Sequence, residues 1–97
     1  MDPIRALLIR SEESSDGYSR LEVRIDEAGS LRLEGCDAGE EVRRLCGDWD
    51  FEYWLTVPAA FKDTVLLCLI QDRFQSVHDL RAWLEQRSIP CEFTSYS

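Results

Sequence analysis

The sequence predicts an α+β fold: a mainly antiparallel sheet of about five strands, two consecutive helices in the C-terminal half packed on one face, and one short helix. Three observations carry this reading. Residues 18–26 and 31–34 alternate apolar and charged side chains on either side of a turn. Residues 51–57 form a run of aromatic and β-branched residues. From residue 59 onward the apolar spacing becomes helical. With 97 residues and 44% apolar side chains, residues 1–97 are expected to form a single globular domain.

Residues 4–10 read as a first strand, and the turn formers of Ser11-Glu12-Glu13-Ser14-Ser15-Asp16-Gly17 as a polar loop. In residues 18–26, Leu21, Val23 and Ile25 share one face, and Arg20, Glu22, Arg24 and Asp26 the other. That is the pattern of an antiparallel strand with one solvated face. Glu27-Ala28-Gly29-Ser30 supplies a turn, and Leu31-Arg32-Leu33-Glu34 returns as the second arm of a hairpin whose outer charges partly pair across the ladder. Asp37, with Glu40 three residues later, marks the start of a short helix to about Leu45, stopped by Gly47. The aromatic strand follows, then Pro58, suited to a first helical turn. Residues 59–75 carry Phe61, Val65, Leu66, Leu69, Ile70 and Phe74 on one broad apolar face, which Leu67 and a buried Cys68 extend. Ser76 caps a second helix with the stripe Val77, Leu80, Trp83 and Leu84. Ile89-Pro90 ends it, and residues 91–96 read as a last strand.

Nineteen acids against eleven bases give a formal charge of −8. Such a balance repels phosphate backbones and anionic membranes and favours positively charged protein surfaces. No direct nucleic-acid or membrane binding is expected. The apolar run of residues 65–70 is too short to span a bilayer, and residues 1–10 lack the long apolar stretch of a secretion signal. The expected location is the cytoplasm, with Cys36, Cys46, Cys68 and Cys91 as reduced thiols.

The densest chemistry lies in Gly47-Asp48-Trp49-Asp50-Phe51-Glu52-Tyr53-Trp54. As a strand it places Asp48, Asp50, Glu52 and Trp54 on one side, and Trp49, Phe51, Tyr53, Leu55 and Val57 on the other as a core ridge. Asp48-x-Asp50-x-Glu52 fails as a calcium loop, because Tyr53 and Ala59 stand where Gly and a bidentate Glu are required. His78 is the only histidine and no Cys-x-x-Cys pair exists, so no metal site, cofactor or thiol catalysis is expected. Between Glu34 and Glu52, seven acids face only Arg43 and Arg44. More than half of the net charge thus comes from under a quarter of the chain. Asp48, Asp50, Glu52 and Trp54, with Glu40 and Glu41 as a charged rim, form the candidate docking face for a basic partner: charge speeds association and the aromatic ring anchors it.

Gly35-Cys36-Asp37-Ala38-Gly39, Val42, Gly47-Asp48-Trp49-Asp50-Phe51-Glu52-Tyr53 and the ending Trp83-Leu84 with Ile89-Pro90-Cys91-Glu92-Phe93 together form a recognisable pattern. It resembles small bacterial proteins with a Gly-Gln-Asp-Leu-Gly-like turn and a Gly-Asp-x-Asp-Tyr-Glu-Tyr strand, some of them similar in size and acidity to toxin-immunity proteins. The likeness covers about residues 20–96, with Cys36 where the pattern prefers Gln and Ala38 where it prefers Leu. The resemblance implies a bacterial origin and an α+β fold, through structural rather than catalytic motifs. The expected function is that of a non-enzymatic, acidic, immunity-type inhibitor, a monomer or homodimer, that covers the basic cleft of a cognate toxin. Two alternatives stand beside it: a phage-type anti-defence or nucleic-acid-mimicking inhibitor, and an adaptor that self-assembles through an edge strand such as residues 4–10 or 91–96.

Overall fold

The computed structural model describes residues 2–40 and 50–96. They fall into two compact units, one formed by Ile4–Lys62 and the other by residues 63–96 with 2–3.

The first unit is a four-stranded antiparallel meander of β1 (Ala6–Ser14), β2 (Gly17–Ile25), β3 (Leu31–Gly39) and β4 (Asp50–Val57), ordered β1-β2-β3-β4. The β2–β3 hairpin is the one expected from the alternation, in unbroken register from Gly17↔Gly39 to Ile25↔Leu31. Asp26 organises its turn. Its Oδ1 accepts from the amides of Ala28 at 3.0 Å and Ser30 at 2.9 Å, so one side chain satisfies two turn N–H groups. At the opposite end, Ser15-Asp16 alone links β1 to β2, because Ser14 pairs with Gly17. Gly17 and Gly39 are paired there at φ 146° and 137°, and a Cβ on either would strike the opposing backbone.

Three expectations are corrected in this region. Residues 11–14, read as loop, belong to β1: pairing with β2 satisfies their backbone groups and overrides turn propensity. Asp37 does not cap a helix. Residues 37–39 complete β3, and the Asp37 carboxylate accepts instead from Ser19 Oγ on the neighbouring strand at 2.6 Å. The remainder of the expected short helix, residues 41–45, lies outside the described residues, as do Cys46, Gly47, Asp48 and Trp49. The core ridge is the third correction. Phe51 and Leu55 on β4 are 46% and 61% exposed, Tyr53 and Val57 only half-buried, and among the described residues no apolar side chain on any strand is buried.

The faces of the sheet nonetheless separate as the alternation requires. Leu7, Leu21, Val23, Ile25, Leu31, Leu33, Phe51, Tyr53, Leu55 and Val57 share one face through successive cross-strand pairs. Arg20, Glu22, Arg24, Arg32, Glu34, Cys36, Asp50, Glu52 and Trp54 share the other. Gly35 is the one buried residue among those described: the Tyr53 ring, directly opposite, fills the place a Cβ would take. A strand glycine covered in this way lends its missing side-chain volume to the aromatic partner.

Helix α1 (Ala59–Arg73) follows Pro58, and α2 (Val77–Gln86) follows Ser76. Ser76 Oγ accepts from the Asp79 amide at 3.1 Å, the expected cap. At the far end, Ser88 at φ 56° turns the chain, while its amide donates to Glu85 O and that of Ile89 to Leu84 O. These are the paired bonds of a Schellman stop, which comes ahead of Pro90. Cys68, expected to be buried, is exposed. Lys62, Asp63, Thr64, Gln71, Asp72 and Arg73 are spread around α1, so it presents no single apolar face, and none of its residues is buried. Residues 91–96 do not form a strand. The ring of Phe93 lies 5.7 Å from that of His78 and 5.0 Å from the Arg81 guanidinium, so this segment is held by side chains on α2 and not by a ladder.

Candidate protein-binding interface

The β3–β4 ladder brings together the two halves of the Gly35–Gly39 and Gly47–Tyr53 pattern. Gly35 pairs with Tyr53, Cys36 with Glu52, Asp37 with Phe51 and Ala38 with Asp50. Residues far apart in the pattern are therefore cross-strand partners, and the first glycine makes room for the last tyrosine.

Of the six candidate docking residues, Asp50, Glu52 and Trp54 stand on one face of β4, all exposed, with Trp54 56% accessible. The ring of Trp54 is thus available at the surface and is not part of a core. Glu40 follows β3, exposed, its amide donating to Asp16 O at 3.0 Å. Glu41 and Asp48 lie outside the described residues.

Folding extends this group with acids that sequence reasoning missed. The polar residues 11–16, read as an ordinary loop, bring Glu12, Glu13 and Asp16 to the end of the sheet where β3 stops and β4 begins. Among the described residues, Glu12, Glu13, Asp16, Asp37, Glu40, Asp50 and Glu52 lie in that half with Arg10 and Arg20 as the bases, Glu12 and Asp37 on the face of Phe51 and Glu13 on that of Asp50 and Glu52. An open depression of about 450 Å³ lies among Glu12, Glu13, Asp16, Tyr18 and Asp37. A second, of about 300 Å³, lies on the polar face among Arg20, Glu22, Glu34, Cys36, Glu52 and Trp54. The clue in the sequence was composition: six polar or acidic residues in succession could extend a strand as readily as a loop.

The electrostatics register on Tyr18. Its hydroxyl meets Cys36 Sγ at 3.6 Å, and its pKa is raised above the ordinary tyrosine value. The bond to Cys36 is the chief cause, followed by charge on Cys36, some burial, and the carboxylates of Asp50 and Glu52. Negative neighbours disfavour a further negative charge, the same field that would draw in a cation.

Chemically the surface offers carboxylates, an exposed indole and open depressions. Among the described residues no cluster of three metal-ligating side chains occurs, and no helix is long and apolar enough to cross a membrane. In comparisons with known proteins, the chain matches no family model, no curated protein and no solved structure.

Proposed function

We propose that this chain is a non-enzymatic acidic binding protein of the immunity type, which neutralises a cognate bacterial toxin by occluding a basic cleft. The observation that carries the proposal is the exposed row Asp50, Glu52 and Trp54, whose two carboxylates stand in the half of the sheet that, among the described residues, holds seven acids and two arginines. A concentrated field of one sign raises the rate of encounter with a basic surface, and an exposed tryptophan is a favoured anchor once contact is made. A small acidic domain also competes with phosphate for the positive cleft of a nuclease-like toxin.

The test is affinity capture from lysate of the protein's own host at low salt, with wild type beside a double variant, Asp50→Lys with Glu52→Lys. One dominant basic partner, captured by wild type, lost by the variant and released by added salt, is the expected result. Equal capture by a variant that remains folded removes this face from the interface. Steady turnover of a substrate by the purified protein would overturn the non-enzymatic reading.

A further inference from the structure

We infer that the partner is held as an added strand: the outer edge of β4 takes an extended basic segment, with alternate Lys or Arg side chains beside Asp50, Glu52 and Trp54. This rests on the proposed acidic-face function and specifies how that face engages its partner. Among the described residues the sheet has two outer edges, β1 and β4. A free edge presents unpaired backbone N–H and C=O groups, a template for another strand. The two edges are not equivalent. Strand β1 carries a register break between Leu8 and Arg10, and such irregularities blunt an edge against pairing. Strand β4 keeps a continuous register from Asp50 to Val57, with no proline and no basic residue within it.

The side chains of β4 then specify the occupant. Asp50 and Glu52 lie on the polar face, followed by the Trp54 ring, while Phe51, Tyr53, Leu55 and Val57 lie on the other. An incoming strand has the same twofold alternation, so its matching form is basic-apolar-basic-apolar. A cation opposite position 54 would meet the face of the indole. A second copy of the chain is a poorer match, since each copy carries a formal charge of −8 and would bring the same two carboxylates to the seam.

The experiment uses two synthetic octapeptides of identical composition, four lysines and four valines, one alternating and one with the residues in blocks. Binding to the full chain is followed by peptide fluorescence anisotropy, and backbone protection by amide hydrogen exchange. The expected result is that the alternating peptide binds, slows exchange in β4 but not in β1, and weakens at least about tenfold with Asp50→Lys plus Glu52→Lys. Circular dichroism checks that the variant is folded. Equal binding of the blocked peptide without protection in β4 would overturn strand addition while leaving the acidic-face reading intact. Protection in β1 instead would assign the wrong edge and overturn the inference. Protection of β4 without peptide, together with a dimer in light scattering, would make a second copy the occupant and also overturn it. Failure of both peptides to bind would sink the inference; loss of partner capture by wild type would separately sink the function.

Discussion

The two ends of the sheet carry charge in different ways. Toward the β2–β3 turn, Glu22, Asp26, Glu27 and Glu34 stand with Arg5, Arg24 and Arg32, and Glu22 and Glu34 take part in ion pairs. Residues directly opposite are like-charged here, Glu22 facing Glu34 and Arg24 facing Arg32. One diagonal and two same-strand neighbours offset this: Glu34 lies 3.9 Å from Arg24 across the ladder and 3.0 Å from Arg32 on its own strand, and Arg20 lies 3.2 Å from Glu22 on β2. Asp26 accepts backbone N–H groups with its carboxylate, and its carbonyl accepts from Arg5 at 3.2 Å. At the other end, among the described residues, seven acids meet two arginines, and none of those seven forms an ion pair with another described residue. One end is organised for the fold, whereas the other keeps its charge turned outward. Separation along the strand axis lets a small domain hold its register and still project a field.

The largest expected effect is on binding. Asp50→Lys with Glu52→Lys should weaken the captured partner at least about a hundredfold, equivalent to about 2.7 kcal/mol, while thermal unfolding stays within a few degrees of wild type. Glu27→Lys, in the exposed β2–β3 turn away from Trp54, should leave affinity little changed. If both variants lost binding equally, the two ends would not be functionally distinct.

Next comes the position where the pattern is mechanically tightest. Gly35→Ala puts a methyl group where the Tyr53 ring lies and should cost about 2 kcal/mol in urea unfolding. The double variant Gly35→Ala with Tyr53→Ala should recover part of that loss, since the clash is removed along with the ring. No recovery would mean that the glycine serves something other than the tyrosine.

Salt separates the ends more gently. Glu34→Gln removes partners from two partly exposed arginines and should cost only about 0.5 kcal/mol, less at high ionic strength. Glu13→Gln, which lightens a like-charged cluster, should be neutral or stabilising by a few tenths of a kcal/mol. Matching losses from the two substitutions would remove the contrast.

The smallest signal is the titration of Tyr18. Its raised pKa means that the folded state favours the neutral phenol. The associated stability is complete below the unfolded tyrosine value of about 10 and is lost as pH climbs through the higher folded value. Ultraviolet titration, with Tyr18→Phe to isolate this ring, should show the midpoint falling toward the ordinary value in Cys36→Ala, and by less in Asp50→Asn. An unchanged midpoint in both would remove the acidic field from the account of this residue.

Much of the architecture was legible in local pattern. Strict alternation defined the β2–β3 hairpin and its faces, Ser76 marked the cap of α2, and the run at residues 50–57 separated its carboxylates from its apolar rings. These follow from period-two geometry and from hydrogen bonds between residues near in sequence, so neighbours suffice to decide them. What local pattern could not decide was pairing. Ser11–Ser14 are strand because β2 lies beside them, Asp37 bonds to Ser19 in preference to starting a helix, and residues 91–96 are no strand because no neighbour completes a ladder. The same holds for the interface. The sequence by itself determined that Asp50, Glu52 and Trp54 share a face; only the tertiary structure decided that Glu12, Glu13 and Asp16 join them at one end and that β4 is an outer edge. A strand's backbone is satisfied by another strand distant in sequence, and that choice, made by the whole chain, sets where its charges finally gather.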